Sequence, residues 1–159
     1  MTKITSEEPI DHWGFLNVKD KIVLDLGCGK FHSTISTPEW FIQQGAERVI
    51  GIDLSSELEY DKFTYHAMSI DNPQQIKDLI ETYKPHIIKA DIEGAEIHFS
   101  GVELSDLGVV SEIAIEYHDN ELMELMFDKL ADWGFALVNI YQLFDIETER
   151  MGVIHAVKM

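Results

Sequence analysis

Four side chains that can move protons or bind metal ions follow two apolar segments of the sequence. Asp91 and Glu93 follow the segment HIIKA, and Glu116 and His118 lie at the end of the segment EIAIEYH. A neutral histidine accepts protons near physiological pH, and a neighbouring carboxylate can orient its imidazole ring. The same residues offer oxygen and nitrogen ligands to a divalent cation. The pattern therefore predicts a centre that removes a proton from a substrate or holds a metal ion.

We favour proton removal, with His118 as the base and with no metal bound. Acids after strands also cap helices and bind sugar hydroxyls, so their presence alone does not indicate a metal. The alternative is a divalent cation held by Asp91, Glu116 and His118. Gly94 would let the chain turn sharply and bring Glu93 or Glu96 back over the pocket. By itself, His118 could equally be a capping or surface residue, but its acidic neighbours favour a functional role.

Apolar β-branched segments alternate with helical or loop segments along most of the chain, which predicts a mainly parallel sheet. Ligands of such sheets bind beyond the carboxyl ends of the strands, where all four side chains would lie. A short polar link, 145–150, joins the last two strands, which must therefore be antiparallel neighbours. Residues 97–110 show little regular pattern. The predicted strands are 21–26, 48–53, 63–70, 86–91, 112–117, 136–144 and 151–157, and the predicted helices are 39–44, 73–83 and 120–133.

A glycine-containing turn follows the first strand. The segment VLDLGCG places Asp25, Gly27 and Gly29 in the pattern D-x-G-x-G, and Asp53 ends the second strand. An acid at that position can accept hydrogen bonds from a ribose diol. A dinucleotide fingerprint would need glycine at position 32, where the sequence has His32. The pattern therefore favours a nucleoside cofactor other than a dinucleotide, and a dehydrogenase is a weaker interpretation.

The segment VLDLGCG resembles motif I of the class I S-adenosylmethionine-dependent methyltransferases. The resemblance implies an α/β Rossmann-like sheet, mostly parallel, with a C-terminal antiparallel hairpin and strand order 3-2-1-4-5-7-6. It also implies that Asp25, Gly27 and Gly29 line the methionine end of S-adenosylmethionine, that Asp53 holds the ribose, and that the end of the third strand meets the adenine. The other candidates for contact with the cofactor are Cys28, Leu54, Ser69, Ile70 and Asp71. Asp71 could equally belong to the turn and cap before the next helix, and both roles can hold together.

The segment KADIEGAE, followed by IEYH, resembles the FkbM family of these methyltransferases. The resemblance covers roughly residues 20 to 158 and implies O-methylation of a hydroxyl on a sugar or another small molecule. The turn after the first strand departs from the usual pattern, since Phe31 stands where a glycine is common. The alternative is a cofactor-binding module without catalysis of its own, or a subunit of a larger complex. The acid–histidine group disfavours that alternative.

Composition limits the partners. The 159 residues carry 12 basic and 29 acidic side chains, a net charge of −17, and no cluster of Lys or Arg, so we expect no binding to nucleic acid or to a membrane. The single cysteine, Cys28, and the lack of a signal-peptide pattern favour a cytoplasmic protein. We expect a lead-in over 1–20 and a methyltransferase domain over 21–159. The oligomeric state stays open.

Overall fold

The computed structural model describes residues 13–28, 35–54, 63–146 and 149–159. Within these ranges the chain forms one seven-stranded sheet with three α-helices and two short 3-10 helices. The strands are β1 (Ile22–Leu26), β2 (Arg48–Asp53), β3 (Thr64–Ala67), β4 (Ile87–Ala90), β5 (Glu112–Tyr117), β6 (Phe135–Ile146) and β7 (Glu149–Lys158). The helices are α1 (Thr37–Gln43), α2 (Pro73–Tyr83) and α3 (Asn120–Asp132), and the 3-10 helices are Ala95–Gly101 and Leu104–Asp106.

The strand order is β3-β2-β1-β4-β5-β7-β6, which confirms the predicted order. The four pairs among β1 to β5 are parallel, whereas β7 pairs antiparallel with both β5 and β6. The direction in which the chain adds strands reverses between β1 and β4. The connections that leave these two strands therefore diverge and open a crevice at their carboxyl ends, where ligands of such sheets bind.

Local caps explain where the helices begin. Ser36 caps α1, its hydroxyl accepting a hydrogen bond from the amide of Glu39 at 3.4 Å, so that helix begins two residues before the predicted start. Asn72 and Gln75 form a reciprocal capping box at α2, whose bounds match the predicted ones. Asp119 caps α3 by accepting from the amide of Leu122 at 2.7 Å. Each cap satisfies an amide that the first helical turn leaves without a partner.

Three predicted segments differ from the structure. β3 is shorter than predicted, because residues 68–71 leave the sheet and turn towards α2. The segment 97–110 is more regular than predicted and contains most of the first 3-10 helix and all of the second. The predicted link 145–150 is largely strand, since Asp145 pairs with Arg150 and Ile146 with Glu149. Polar residues continue this outer hairpin without a hydrophobic pattern to indicate it.

The two faces of the sheet carry separate hydrophobic clusters. Alternate strand residues point to opposite faces, so Leu24 belongs to a cluster with α2 and α3, whereas Val23 belongs to one with Trp13 and α1. Asp25 follows Val23 and Leu24 in this alternation and lies on the Trp13 face. Among the described residues, no helix has both the length and the apolar composition that crossing a membrane requires.

Candidate active site

Three side chains meet beyond the carboxyl ends of β4 and β5. Nε2 of His118 lies 3.6 Å from Oε1 of Glu96 and 3.8 Å from Oδ1 of Asp91. One ligand atom from each of the three residues lies within 4.8 Å of the others. Asp91 follows β4 and His118 follows β5, and these strands are neighbours in the sheet. The topology therefore brings Asp91 and His118 together as their positions in the sequence predict. We refer to Asp91, Glu96 and His118 as the acid–histidine cluster.

Of the two acids that the sequence offered after Asp91, Glu93 and Glu96, the structure places Glu96 in the cluster. Glu93 is exposed, has a φ of 52°, and does not belong to the cluster. Glu96 is fully buried, and its two carboxylate oxygens accept hydrogen bonds from the amides of Ile92 and Gly94, at 2.7 and 2.8 Å. The Glu96 side chain thus fixes the turn after β4 while it also contacts His118. The sequence signal for this role was Gly94. A sharp turn at a glycine exposes backbone amides that can donate hydrogen bonds to a nearby carboxylate.

Glu116 lies at the edge of the cluster in protonated form. It is 4% exposed on β5. Burial, followed by the negative charge of Asp91 and a hydrogen bond with it, raises the pKa of Glu116 to about 9. A raised pKa favours the neutral form of Glu116 near pH 7, and a neutral carboxyl can donate a hydrogen bond to the neighbouring Asp91.

His118 carries a proton in the unliganded protein at neutral pH. The contact with Glu96 raises the pKa of His118 to about 9 against the effect of burial, and the charges of Glu116 and then Asp91 add to the rise when these acids are ionised. At 3.6 Å the contact with Glu96 is a loose ion pair, longer than an ordinary hydrogen bond. His118 can therefore act as a base only at alkaline pH, or when a positive charge bound nearby lowers its pKa so that it loses the proton.

Two buried atoms of the cluster have no hydrogen-bond partner among the residues that the structure describes, namely Oδ1 of Asp91 and Nε2 of His118. A buried polar atom without a partner is costly, and such atoms often mark the place of a ligand or water. A substrate hydroxyl can donate to the carboxylate and present its oxygen to the imidazole. A divalent cation would also find two carboxylates and one imidazole here. The donor set fits both ligands that the sequence predicted.

Gly27 and Cys28 form the described part of the turn after β1, which we call the cofactor loop. This turn touches the acid–histidine cluster through its main chain. Gly27 has a φ of 82°, and a Cβ atom at this position would lie 1.6 Å from the carbonyl oxygen of Asp91. The amide of Asp91 donates to the carbonyl of Leu26 at 2.8 Å, and the amide of Gly27 donates to that of Ile52 at 2.8 Å. Gly27 is therefore required by the close approach of Asp91. Gly29 lies outside the described residues.

The predicted residues at the ends of β2 and β3 lie in short polar turns. Oδ1 of Asp53 accepts a hydrogen bond from the amide of Leu54 at 2.6 Å, and Leu54 is exposed. The Ser69 hydroxyl donates to Oδ1 of Asp71 at 2.6 Å, and the amide of Asp71 donates to Gln75 at the start of α2. Asp71 thus takes part in the turn before the helix. The next predicted residue, Ile70, is buried beside it.

Asp25 and Cys28 face the protein interior. The Cys28 thiol is buried against Gly51, where a Cβ atom would lie 2.9 Å from Sγ. Burial, and after it the charge of Asp25, raises the pKa of Cys28, so the thiol is not a nucleophile. Asp25 is fully buried, pairs with Lys89 at 2.9 Å and accepts a hydrogen bond from the Thr37 hydroxyl.

The fold resembles solved structures of methyltransferases. No protein-family model matches the chain, and no curated protein matches it. Magnesium protoporphyrin IX methyltransferase from Synechocystis, solved with bound S-adenosylmethionine, superposes with a TM-score of 0.57 at 18% identity, over 90% of this chain and 72% of the other. Fibrillarin from Aeropyrum pernix, also with bound S-adenosylmethionine, gives 0.59 at 14% identity, over 89% and 69%.

A third structure extends the range of substrates among these proteins. A 1,6-didemethyltoxoflavin N1-methyltransferase from Burkholderia thailandensis, with its substrate and S-adenosylhomocysteine bound, gives a TM-score of 0.52 at 14% identity, over 89% of this chain and 72% of the other. At such identities the likeness concerns the fold and not the substrate. The chain therefore has the Rossmann-like fold of the class I S-adenosylmethionine-dependent methyltransferases.

Proposed function

We propose that the protein is an S-adenosylmethionine-dependent methyltransferase of FkbM type that methylates a hydroxyl group of a sugar or another small molecule. The acid–histidine cluster is the observation that carries the proposal. It lies beyond the carboxyl ends of β4 and β5, and its Asp91 touches the turn after β1 through Gly27. Glu96 and His118 come from the two segments that resemble the FkbM family, and they meet at 3.6 Å.

S-adenosylmethionine supplies a methyl group that is already activated on a sulfonium. Asp53 would accept hydrogen bonds from the ribose hydroxyls, since it ends β2 next to the crevice. Ser69, Ile70 and Asp71, at the end of β3, would border the adenine. The main chain of Gly27 and Cys28, with Gly29 after them, would line the methionine end. We do not propose Asp25 as a direct contact of the cofactor, because its carboxylate is fully buried.

The acid–histidine cluster would activate the acceptor hydroxyl. Asp91 would accept a hydrogen bond from a second hydroxyl of the acceptor molecule and so orient it, with neutral Glu116 beside the carboxylate. His118 would take the proton from the hydroxyl as its oxygen gains the methyl group and the bond between methyl and sulfur breaks. A bound sulfonium lowers the pKa of His118 by repulsion between like charges. Cofactor binding would thus free the base for catalysis.

A small acceptor agrees with the charge of the protein better than a nucleic acid does. The net charge of −17, without a Lys or Arg cluster, opposes approach to a phosphate backbone. Hydroxyl-rich acceptors carry no such charge and hydrogen-bond readily to carboxylates. We therefore propose a neutral or cationic hydroxylated small molecule as the acceptor and a soluble cytoplasmic setting for the reaction.

The test is transfer of a labelled methyl group to a panel of hydroxylated small molecules. His118→Asn should lower turnover about 10²–10⁴-fold with little change in the affinity for the cofactor. His86→Asn is the matched control: His86 precedes β4 at the amino end of the parallel strands, and the Asn oxygen can still accept from the amide of Ile22, as Nδ1 of His86 does at 3.0 Å. Normal turnover by His118→Asn on a true acceptor would show that His118 is structural. Cofactor binding without transfer to any acceptor would favour the cofactor-binding module.

A further inference from the structure

A charged lysine lies inside the sheet next to Asp25. Lys89 occupies the middle of β4, pairs in register with Asp25 on β1, and is 1% exposed. Its Nζ lies 2.9 Å from Oδ1 of Asp25 and donates a hydrogen bond to the carbonyl of Gly27 at 2.7 Å. A fully buried ion pair gains little net stability over apolar side chains of the same size. Its position therefore calls for a role other than general stability.

The Asp25 carboxylate is surrounded by protein groups: its Oδ1 has Lys89 as an ion-pair partner but no hydrogen bond among the described residues. The Thr37 hydroxyl, at the start of α1, donates to its second oxygen. The Trp13 ring, 4% exposed, lies over the Lys89 ammonium with the centroid 4.8 Å away. Burial raises the pKa of Asp25 and would lower that of Lys89, but the charges of Asp25 and then Asp91 raise the pKa of Lys89. The separation of 2.9 Å is that of an ion pair. The carboxylate thus has a charged partner inside the protein.

We propose that Asp25 and Lys89 form a buried positioning pair that sets the path of the chain after β1, and that Asp25 supports the cofactor through this pair without touching it. The proposal rests on the cofactor site proposed above. Lys89 donates a hydrogen bond to the carbonyl of Gly27. Asp91 lies two residues after Lys89, and its own carbonyl oxygen is in close contact with Gly27. One ammonium therefore fixes both the loop that approaches the cofactor and the strand end that presents Asp91 to His118.

A double-mutant cycle separates a positioning pair from a direct contact. Asp25→Asn and Lys89→Met each leave one charge buried without its partner, whereas the double variant removes both charges. Since Lys89 holds the carbonyl of Gly27 and Asp25 holds Lys89, calorimetry should show S-adenosylhomocysteine affinity about tenfold weaker in each single variant. The double variant should bind no more weakly than Lys89→Met alone, because the two losses do not add. For a direct contact of Asp25 with the cofactor, Lys89→Met should bind within about threefold of the original, while Asp25→Asn and the double variant lose affinity. That result would overturn the proposal.

A second measurement does not depend on the cofactor. Exchange of the Gly27 and Cys28 amides, both of which donate to the carbonyl of Ile52, reports the order of the loop itself. Both single variants should exchange these amides at least about tenfold faster, and the double variant should exchange them about as fast as Lys89→Met, because both lack the ammonium that holds Gly27. Unchanged exchange in Lys89→Met would also overturn the proposal. Failure of the original protein to bind S-adenosylhomocysteine would instead count against the proposed function, and the exchange cycle would still decide on the pair.

An exposed ion pair provides the control. Lys77 and Asp106 lie 3.3 Å apart with more than a quarter of each side chain exposed. Lys77→Met should change neither cofactor affinity nor exchange at Gly27, because water replaces the lost partner there. If Asp25→Asn fails to fold, Lys89→Met still tests the proposal, since only a positioning role for Lys89 predicts weaker cofactor binding together with faster exchange at Gly27. If Lys89→Met fails to fold, the double variant, which buries no unpaired charge, takes its place in both measurements.

Discussion

The protonation state of His118 gives the sharpest test of the proposed chemistry. An ordinary histidine titrates near 6.5, whereas the contact with Glu96 raises the pKa of His118 to about 9. At pH 7 only roughly one molecule in a hundred would then carry neutral His118, by the equilibrium between the two forms. Methyl transfer measured as kcat/KM should accordingly rise about tenfold per pH unit from pH 7 to 8 and level off near pH 9.

Glu96→Gln is the perturbation that tests this account. It removes the negative charge beside His118, while the carboxamide oxygen can still accept one of the two amides that Glu96 binds. The midpoint of His118 should therefore fall from about 9 towards 6.5, and the pH profile should move with it. Glu93→Gln is the matched control, because Glu93 is exposed and lies outside the acid–histidine cluster. Nuclear magnetic resonance of the imidazole carbon-bound proton follows the titration without any substrate, with His118→Asn identifying the signal.

The cofactor offers a second comparison within the same experiment. S-adenosylmethionine carries a sulfonium charge that S-adenosylhomocysteine lacks, so the first should lower the pKa of His118 more than the second. The raised pKa of His118 also affects the stability of the fold. Its contribution is complete below pH 6.5 and is lost as the pH rises through about 9. A midpoint below 7 in the unliganded protein, or equal midpoints in Glu96→Gln and the original, would refute the reasoning.

Three further outcomes are expected. Asp53→Ala should weaken binding of S-adenosylhomocysteine by about 1–3 kcal/mol in calorimetry, the cost of buried hydroxyls left without partners, while NAD should not bind; micromolar NAD binding with no response to S-adenosylhomocysteine would contradict the cofactor assignment. Affinity for DNA or RNA should be negligible at physiological salt, given the net charge of −17, and a salt-dependent gel shift would count against this. Methyl transfer should survive EDTA; activity that is lost and then restored by Mg²⁺ or Mn²⁺ would instead place a cation on Asp91, Glu96 and His118.

The sheet was predictable because its signals are local. Apolar β-branched runs marked β2 and β5 to the residue, and Asn72 with Pro73 marked the start of α2. The meeting of Asp91 with His118 followed from adjacent parallel strands. These features depend on short stretches of sequence, whereas the strand order was implied by the resemblance to the methyltransferases.

The parts that sequence did not predict depend on contacts between distant residues or on backbone angles. The choice between Glu93 and Glu96 rests on the turn after β4, where Glu93 and Gly94 both have positive φ. The burial of Asp25 rests on Lys89, which reads in sequence as a polar interruption of β4 and not as a partner of β1. No periodic pattern indicates two short 3-10 helices, because such helices complete too few turns to show one.

The separation of the core into two faces also separates the tryptophans. Trp133 belongs to the cluster with α2 and α3, whereas Trp13 and Trp40 belong to the other face. Trp13 is the one whose ring contacts the Lys89 ammonium, at 4.8 Å. In a variant with Trp40 and Trp133 replaced by Phe, Trp13 would be the remaining tryptophan, so all indole fluorescence would come from the ring beside the buried ion pair. Its fluorescence would serve as an optical probe of the cofactor loop from within the protein, without any attached dye.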